Sequence, residues 1–267
     1  MAKKILFINQ EISPYVPESE MSNMGRLVPQ KVVEKGFEIR TFMPKWGNIN
    51  ERRGQLHEVI RLSGMNLIIN ETDHPLIIKV ASMQACRTQV YFIDNDDYFT
   101  KRKMGLDESG KPYADNGERA IFFARGVLET VKKLRWVPDV IHCQGWMSYV
   151  VPLFVKAAYC DEPSFANAKV VTSLFGNQLP GTVCDDFRDC IAFRNVNADM
   201  LSGFSEKFGY DDLAKLAIDY SDGVIEASDD IDAGVSKYLR DSGKPFVEYP
   251  GDDFAQAYAN FYEKVLS

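Results

Sequence analysis

The chain has 267 residues, of which 45% are hydrophobic and 26% are charged, a composition typical of a folded globular protein and not of a disordered one. Its net charge of −7 argues against a nucleic-acid backbone or an anionic membrane surface as a partner. No apolar run approaches the roughly 18–20 residues that cross a bilayer, and the apolar run behind the basic N-terminus is too short for a signal peptide. We therefore expect a cytoplasmic protein with no nucleic-acid partner and no membrane partner.

Residues 4–44 predict a βαβ unit. The apolar run Ile5-Leu6-Phe7-Ile8 predicts a buried strand, and a loop from Asn9 to Glu20 follows it. A helix is predicted from Met21 to Lys35, ended by Gly36, and a second strand from Glu38 to Met43. In doubly wound sheets the loop after the first strand usually carries ligand chemistry. Here that loop contains no glycine before Gly25.

The rest of the chain continues the alternation of strands and helices. Strands are predicted at residues 59–69, 76–83, 87–93, 139–143, 169–174, 223–226 and 246–247. Helices are predicted at residues 115–135, within 145–159, and at 211–220, 229–240 and 253–266, with packed short helices over 178–210. The pattern predicts an α/β fold with a Rossmann-like, mostly parallel, doubly wound sheet.

The predicted organisation is one domain over residues 1–250 and a C-terminal helix over 251–267 that packs back on it. The helix carries several aromatic residues, so a partner interface is the alternative interpretation. Ligands bind beyond the carboxyl ends of the strands in such sheets. This rule selects four segments as candidate site, namely Glu11–Ser22, Asp94–Phe99, His142–Met147 and Leu174–Asn177.

The five cysteines (Cys86, Cys143, Cys160, Cys184 and Cys190) are odd in number and form no Cys-x-x-Cys pair. Cys184 and Cys190 are six residues apart and no histidine lies near them in the sequence. We interpret all five as free thiols, with metal binding or a disulfide as the alternatives. His57 and His74 lie in polar segments that we expect at the surface.

Four stretches together resemble the N-terminal domain of bacterial glycogen and starch synthases, glycosyltransferase family 5. Residues 11–15 resemble the end of the family's S-E-V-A-P-F segment, and residues 94–99 resemble D-N-x-x-Y-F. Residues 113–125 resemble Y-x-D-N-x-E-R-F-x-F-F-S-R, and residues 138–153 resemble P-D-I-V-H-A-H-D-W-H-x-x-x-x-P-L. The resemblance extends from about residue 2 to residue 250.

The resemblance implies one half of a GT-B fold, in which two Rossmann-like domains face each other across a cleft. Enzymes of the family transfer glucose from ADP-glucose or UDP-glucose to an α-1,4-glucan with retention of configuration and without a metal. Their second domain carries most of the nucleotide contacts. The segment from Tyr249 to Asp253 stands where the family crosses into that domain, and this sequence ends soon after it.

Two departures from the family pattern predict that catalysis is lost. The family's K-T-G-G-L, whose glycines and lysine approach the diphosphate, is replaced by Pro17-Glu18-Ser19-Glu20-Met21. Its H-D-W-H is replaced by Gln144-Gly145-Trp146-Met147, and its T-I-H-N by Thr172-Ser173-Leu174-Phe175. Methionine and leucine cannot orient a sugar or stabilise an oxocarbenium-like charge.

We therefore expect no catalytic residue, no cofactor and no metal, and a role in glucan metabolism by binding. The candidate glucan-binding side chains are Glu11, Tyr15, Asp94, Asn95, Tyr98, His142, Gln144, Trp146 and Asn177. A structural role is the alternative for His142, packing for Trp146, and turn or cap roles for Asp94 and Asn95. The partners we consider are an α-glucan, a separate glycosyltransferase domain that would complete a split enzyme, and a second copy of the chain. A different small molecule, bound through Glu20 and Gln144, is a further alternative.

Overall fold

The computed structural model describes residues 2–83, 88–177 and 179–267. In these ranges the strands are β1 (Lys4–Asn9), β2 (Glu38–Pro44), β3 (His57–Glu58), β4 (Met65–Ile69), β5 (Thr72–Met83), β6 (Thr88–Asp94), β7 (Val140–Gln144), β8 (Lys169–Leu174), β9 (Gly223–Glu226) and β10 (Phe246–Val247). The α-helices are α1 (Glu20–Glu34), α2 (Glu51–Gly54), α3 (Asn116–Lys133), α4 (Val151–Leu153), α5 (Phe187–Cys190), α6 (Tyr210–Tyr220), α7 (Ala233–Asp241) and α8 (Phe254–Leu266). Short 3₁₀ turns lie at Trp146–Ser148, Ala198–Leu201 and Gly251–Asp253, and π-helical turns at Asp96–Thr100 and Phe154–Ala158.

One sheet organises the molecule, with strand order β10-β9-β8-β7-β1-β2-β6-β5-β3 and β4 paired to β5 at one end. The strands from β10 to β6 in this order pair in parallel, whereas β5 is antiparallel to β3, β4 and β6. The predicted α/β fold with a mostly parallel sheet is therefore confirmed.

The central strand β1 is buried on both faces, as the apolar run at its start predicts. Leu6 and Ile8 point into a large core cluster on one face, which includes residues of α3 and α6. Ile5 and Phe7 point to the other face, against residues of α1 and α8. Alternate residues of a strand face opposite sides of a sheet, so one short apolar run supplies both layers of the core.

The structure corrects two element predictions. Residues 59–69 do not form one strand: residues 60–62 form a turn, Gly64 takes a φ of +83°, and β4 begins only at Met65. The predicted helix at 229–240 begins only at Ala233, because the side chain of Asp232 accepts hydrogen bonds from the amides of Gly234 and Val235 and caps it there.

Two further sequence features complete the comparison. Cys86, and residue 87 at the start of one predicted strand, lie outside the described residues.

Among the helices of the described ranges, none is both long enough and apolar enough to cross a membrane.

Candidate functional site

The candidate site lies where the strand order reverses. β1 lies between β7 and β2 and pairs in parallel with both. After β1 the chain continues to β2 on one side of the sheet, whereas after β7 it continues to β8 on the other side. A crevice forms at such a point, outside the carboxyl ends of the strands. Here it lies between residues 10–19, which follow β1, and residues 145–150, which follow β7.

Side chains of the chain itself fill this crevice. A methyl group added at Gly145 would come within 2.7 Å of Cβ of Gln10 and 2.8 Å of Sδ of Met21. The amide of Gln144 donates to the carbonyl oxygen of Met21 at 2.7 Å. Gln10, Met21 and Gln144 are all buried. The crevice is therefore packed with protein atoms, and Gln144 holds the first turn of α1 in place.

The N-terminus of α1 is occupied by its own capping groups. The hydroxyl of Ser19 accepts a hydrogen bond from the amide of Ser22, and the hydroxyl of Ser22 accepts one from the amide of Ser19. The hydroxyl of Ser19 donates to Oε2 of Glu11 at 2.7 Å. Glu11, a predicted site residue, is buried. Its carboxylate thus lies at the helix end, where a helix favours negative charge.

Glu20 ties the start of α1 to the last third of the chain. Its carboxylate accepts hydrogen bonds from the hydroxyl of Ser228 at 2.8 Å and from the hydroxyl of Tyr249 at 2.9 Å. The hydrogen bond to Glu20 raises the pKa of Tyr249. Oδ1 of Asp230 lies 2.6 Å from the same Ser228 hydroxyl. Two carboxylates therefore face one hydroxyl at this edge, and an anionic ligand would be repelled.

His142 is entirely enclosed by the protein. Its Nε2 lies 2.7 Å from Oγ of Ser173, and its Nδ1 lies 2.6 Å from the hydroxyl of Tyr262 on α8. Burial lowers the pKa of His142 to about 3. The imidazole is therefore neutral near pH 7, and it joins β7, β8 and α8.

Trp146 and Asn177 differ in their access to solvent. Trp146 is buried, and its indole lies 3.1 Å from the position that a methyl group would take at Gly105. Its ring therefore presents no open face to a sugar in this structure. Asn177 is exposed, and its side-chain oxygen accepts a hydrogen bond from the amide of Leu179.

Asp94 and Asn95 are both buried at the end of β6. Asp94 forms an ion pair with Lys79 at 2.9 Å, and it accepts hydrogen bonds from the amide of Asn95 and the hydroxyl of Thr100. The side chain of Asn95 accepts from the amides of Asp97 and Tyr98 and caps the π-helical turn. Both side chains thus also join the turn after β6 to β5, Asp94 through Lys79 and Asn95 through a hydrogen bond that its side-chain amide donates to the carbonyl oxygen of Pro75 at 2.9 Å.

Tyr98 belongs to a buried polar network that the sequence does not reveal. Its hydroxyl donates to Oε2 of Glu118 at 2.7 Å and lies 3.0 Å from Nε2 of His74. Burial, followed by the hydrogen bond to Glu118, raises the pKa of Tyr98. The expectation that His74 lies at the surface is wrong: it is 8% exposed, because β5 extends to Thr72 and turns this side chain inward.

Tyr15 borders the open part of the site. Together with Asn50 and Arg53 it lines a cavity of about 370 Å³. An edge-to-face contact of 4.9 Å with Phe92 holds the half-buried ring of Tyr15. Asn50 and Arg53 were missed as candidates, although they follow β2 and so lie at the same edge of the sheet. Of the predicted residues, Tyr15 and Asn177 are accessible, whereas Glu11, Asp94, Asn95, Tyr98, His142, Gln144 and Trp146 are buried.

Comparisons with known proteins give one consistent result. A family model described as the starch synthase catalytic domain matches residues 4–237. The glycogen synthase of Chlorobium phaeobacteroides is 38% identical over 172 residues, which are 64% of this chain and 35% of that protein. The glycogen synthase of Chlorobaculum tepidum is 31% identical over 254 residues, which are 91% of this chain and 51% of that protein. The chain thus spans between about a third and a half of the length of these relatives.

A solved structure shares the fold. The catalytic domain of starch synthase IV from Arabidopsis thaliana, bound to ADP and acarbose, superposes with a TM-score of 0.74 at 15% identity. The match covers 93% of this chain and 51% of that one. At this level of identity the likeness concerns the fold.

Proposed function

The chain belongs to the family of starch synthase catalytic domains, and from this premise we propose that it binds α-glucan and does not itself transfer glucose. The observation that carries the proposal is the carboxylate of Glu20 in the first turn of α1, which accepts hydrogen bonds from the hydroxyls of Ser228 and Tyr249. In the family pattern this position is the second glycine of K-T-G-G-L, next to the diphosphate. Here a carboxylate of the chain itself stands at that position.

The charges around this helix end support the loss of nucleotide binding. The family pattern places a lysine and two glycines in this loop, whereas this chain has Pro17, Ser19 and Glu20. Glu20 accepts two hydrogen bonds from other parts of the chain and remains exposed at the mouth of the site. A carboxylate next to a diphosphate costs several kcal/mol when water is excluded. We therefore expect no measurable affinity for ADP-glucose.

The cavity beside Tyr15 supports glucan binding. It combines an aromatic ring, the amides of Asn48 and Asn50 and the guanidinium of Arg53. Such side chains offer both donors and acceptors to neutral hydroxyl groups, and about 370 Å³ is a volume suited to a small-molecule ligand. A neutral sugar is not repelled by the carboxylates of Glu11 and Glu20.

Affinity electrophoresis through gels with and without glycogen tests glucan binding. We expect glycogen to retard the wild-type protein, and the substitutions Tyr15→Ala and Arg53→Ala to raise the apparent dissociation constant about fivefold or more, equivalent to about 1 kcal/mol. Arg52→Ala is the matched control, because Arg52 is an exposed neighbour that does not line the cavity. Equal migration with and without glycogen would contradict glucan binding.

A transfer assay tests the second half of the proposal. The purified protein is incubated with radiolabelled ADP-glucose and glycogen, alone and with cell lysate, and label in the glycogen is counted. We expect no incorporation that depends on this protein. Incorporation only with lysate would favour the alternative, in which this chain is one half of a split glucosyltransferase completed by a separate nucleotide-binding domain. Incorporation by the protein alone would show that it is itself a transferase.

A further inference from the structure

Three metal-ligating side chains converge in the irregular segment between β8 and α6. The sulfur atoms of Cys184 and Cys190 and a carboxylate oxygen of Asp186 all lie within 4.8 Å of one another. Both cysteines are buried, whereas Asp186 is half-buried and open to solvent on one side. We propose that these three residues form a binding site for one zinc ion, a role that does not depend on glucan binding.

The ligand set and its dimensions fit zinc. Zn²⁺ binds thiolate sulfur at about 2.3 Å and carboxylate oxygen at about 2.0–2.2 Å in a tetrahedron, so neighbouring ligand atoms lie about 3.8 Å apart or less. The three atoms therefore need to move inward by no more than about 1 Å. Three protein ligands leave the fourth position to a water molecule, which can enter on the exposed side of Asp186.

The scaffold around the three ligands is well packed. Cys184 lies against the start of α3, where a methyl group added at Gly117 would come within 2.3 Å of its sulfur. The amide of Gly117 donates to the carbonyl oxygen of Val183 at 3.0 Å and fixes the backbone next to Cys184. Phe187, at the start of α5, stacks on Phe208 with ring centroids 4.6 Å apart. These contacts hold both cysteines on one short segment.

The carboxylate of Asp186 is already oriented as a ligand. The side-chain amide of Asn70 donates to its Oδ2 at 2.9 Å, and a carboxylate oxygen of Asp186 lies within 4.8 Å of both sulfur atoms. A hydrogen bond from a neighbour to a ligating carboxylate is a regular feature of metal sites. In the described part of the chain, no lysine or arginine lies within 4.0 Å of this carboxylate to balance its charge.

A bound cation would balance the charge of the three ligand groups that the fold places together. Zinc compensates for two thiolates and one carboxylate, and its binding releases the thiol protons to solvent. A disulfide between the two cysteines would use both sulfur atoms but would leave Asp186 with no cation. The sequence alone favours free thiols, because the cluster forms only when residues 184–190 fold.

The experiment measures metal binding to the full chain after treatment with a chelator and a reductant. Zinc is titrated in competition with a chromophoric chelator, and cadmium is titrated in parallel, because its ultraviolet charge-transfer band reports only thiolate ligands. We expect one zinc ion per chain and a cadmium–thiolate band. Asp186→Asn should lower the zinc affinity by at least about tenfold, and Cys184→Ser/Cys190→Ser should abolish both signals. Cys160→Ser is the matched control, because Cys160 is exposed and outside the cluster.

Several outcomes would overturn the proposal. Equal zinc binding by the wild type and the double variant would place the metal elsewhere, for example on the exposed His57. Absence of the cadmium band in the wild type decides against the site even if the double variant does not fold. Thiols are also titrated with and without reductant. If two fewer thiols are found without reductant, and the reduced protein binds no zinc, the two cysteines form a disulfide and not a metal site.

Discussion

The hydroxyl group of Tyr262 lies 2.6 Å from Nδ1 of His142, and this contact joins the C-terminal helix α8 to the centre of the sheet. On the other side of the ring, Nε2 of His142 lies 2.7 Å from the hydroxyl of Ser173. Both ring nitrogens are therefore satisfied by neutral partners. Burial raises the pKa of Tyr258 and of Tyr262, so both phenol groups near the imidazole are neutral near pH 7.

The first prediction concerns stability in acid. The pKa of His142 is about 3 in the folded protein, and about 6.5 in an unfolded chain. Below pH 6.5 the unfolded state therefore binds a proton that the folded state does not, and stability falls as the pH approaches 3. The slope from this residue is about 1.4 kcal/mol per pH unit. Urea unfolding of the wild type and of His142→Gln between pH 7 and pH 4.5 measures it.

The variant His142→Gln serves as the control for all other titrating groups, which both proteins share. We expect it to be less stable than the wild type at pH 7, because a well-packed buried ring is lost, but to lose less stability on acidification. Parallel curves for the two proteins would mean that protonation of His142 does not contribute to acid unfolding.

The second prediction concerns the docking of α8. Tyr262→Phe keeps the ring next to Phe7 and Phe37 but leaves Nδ1 of His142 without a partner, at a cost of about 1–3 kcal/mol. Tyr262→Ala also leaves a cavity and should cost about 3–5 kcal/mol. Glu263→Ala, at an exposed position of the same helix, should change the free energy of unfolding by less than about 0.5 kcal/mol. Equal stability of all three variants would show that α8 contributes little to the fold.

Most of the fold could be predicted because its elements have strong local signals. The apolar run Ile5–Ile8, the helix that ends before Gly36 and the strand at 169–174 all appear within about two residues of their predicted bounds. The failures have local causes that compete with hydrophobic pattern. Gly64 interrupts an apolar stretch that otherwise resembles one strand. The helix predicted from Asp229 begins after Asp232, because Asp232 is the residue that caps it, although the earlier acidic residues would also suit the start of a helix.

The candidate site could be located but not resolved. Strand ends place Glu11, Trp146 and His142 at one edge of the sheet, yet the fold turns these side chains inward. The orientation of each side chain depends on contacts with distant parts of the chain, such as those of His142 with Ser173 and Tyr262. A single sequence carries no signal for such contacts. The buried position of His74 was missed for the same reason, because its partner Tyr98 lies 24 residues away.

The third prediction concerns the loop after β1. Asp is normally as good an N-cap residue as Ser, so Ser19→Asp alone would be neutral in an ordinary helix. Here the carboxylate of Glu11 lies 2.7 Å from the Ser19 hydroxyl, and two carboxylates at that distance repel each other. We expect Ser19→Asp to lower the free energy of unfolding by about 1–3 kcal/mol, and Glu11→Gln/Ser19→Asp to recover most of it. Urea unfolding measures all three proteins. If the wild type and Ser19→Asp were equally stable, Glu11 would not lie at the helix end in solution.

The fourth prediction concerns Arg119, whose guanidinium is entirely buried. It donates to the carbonyl oxygens of Tyr98, Lys103 and Met104 and to the side-chain oxygen of Asn116, at 2.7–2.9 Å. Burial lowers its pKa to about 10, so it is charged near pH 7. One cation thus holds the segment that links β6 to α3.

We expect Arg119→Lys to lower the free energy of unfolding by about 3–5 kcal/mol, because an ammonium group cannot reproduce the planar set of donors and leaves buried oxygens unsatisfied. Arg102→Lys is the matched control: its ion pair with Asp115 is partly exposed, so the loss should be about 1 kcal/mol or less. Urea unfolding followed by circular dichroism measures both. Similar losses for the two variants would show that the buried hydrogen bonds of Arg119 add nothing beyond an ordinary surface charge, and that the segment after β6 is held by other contacts.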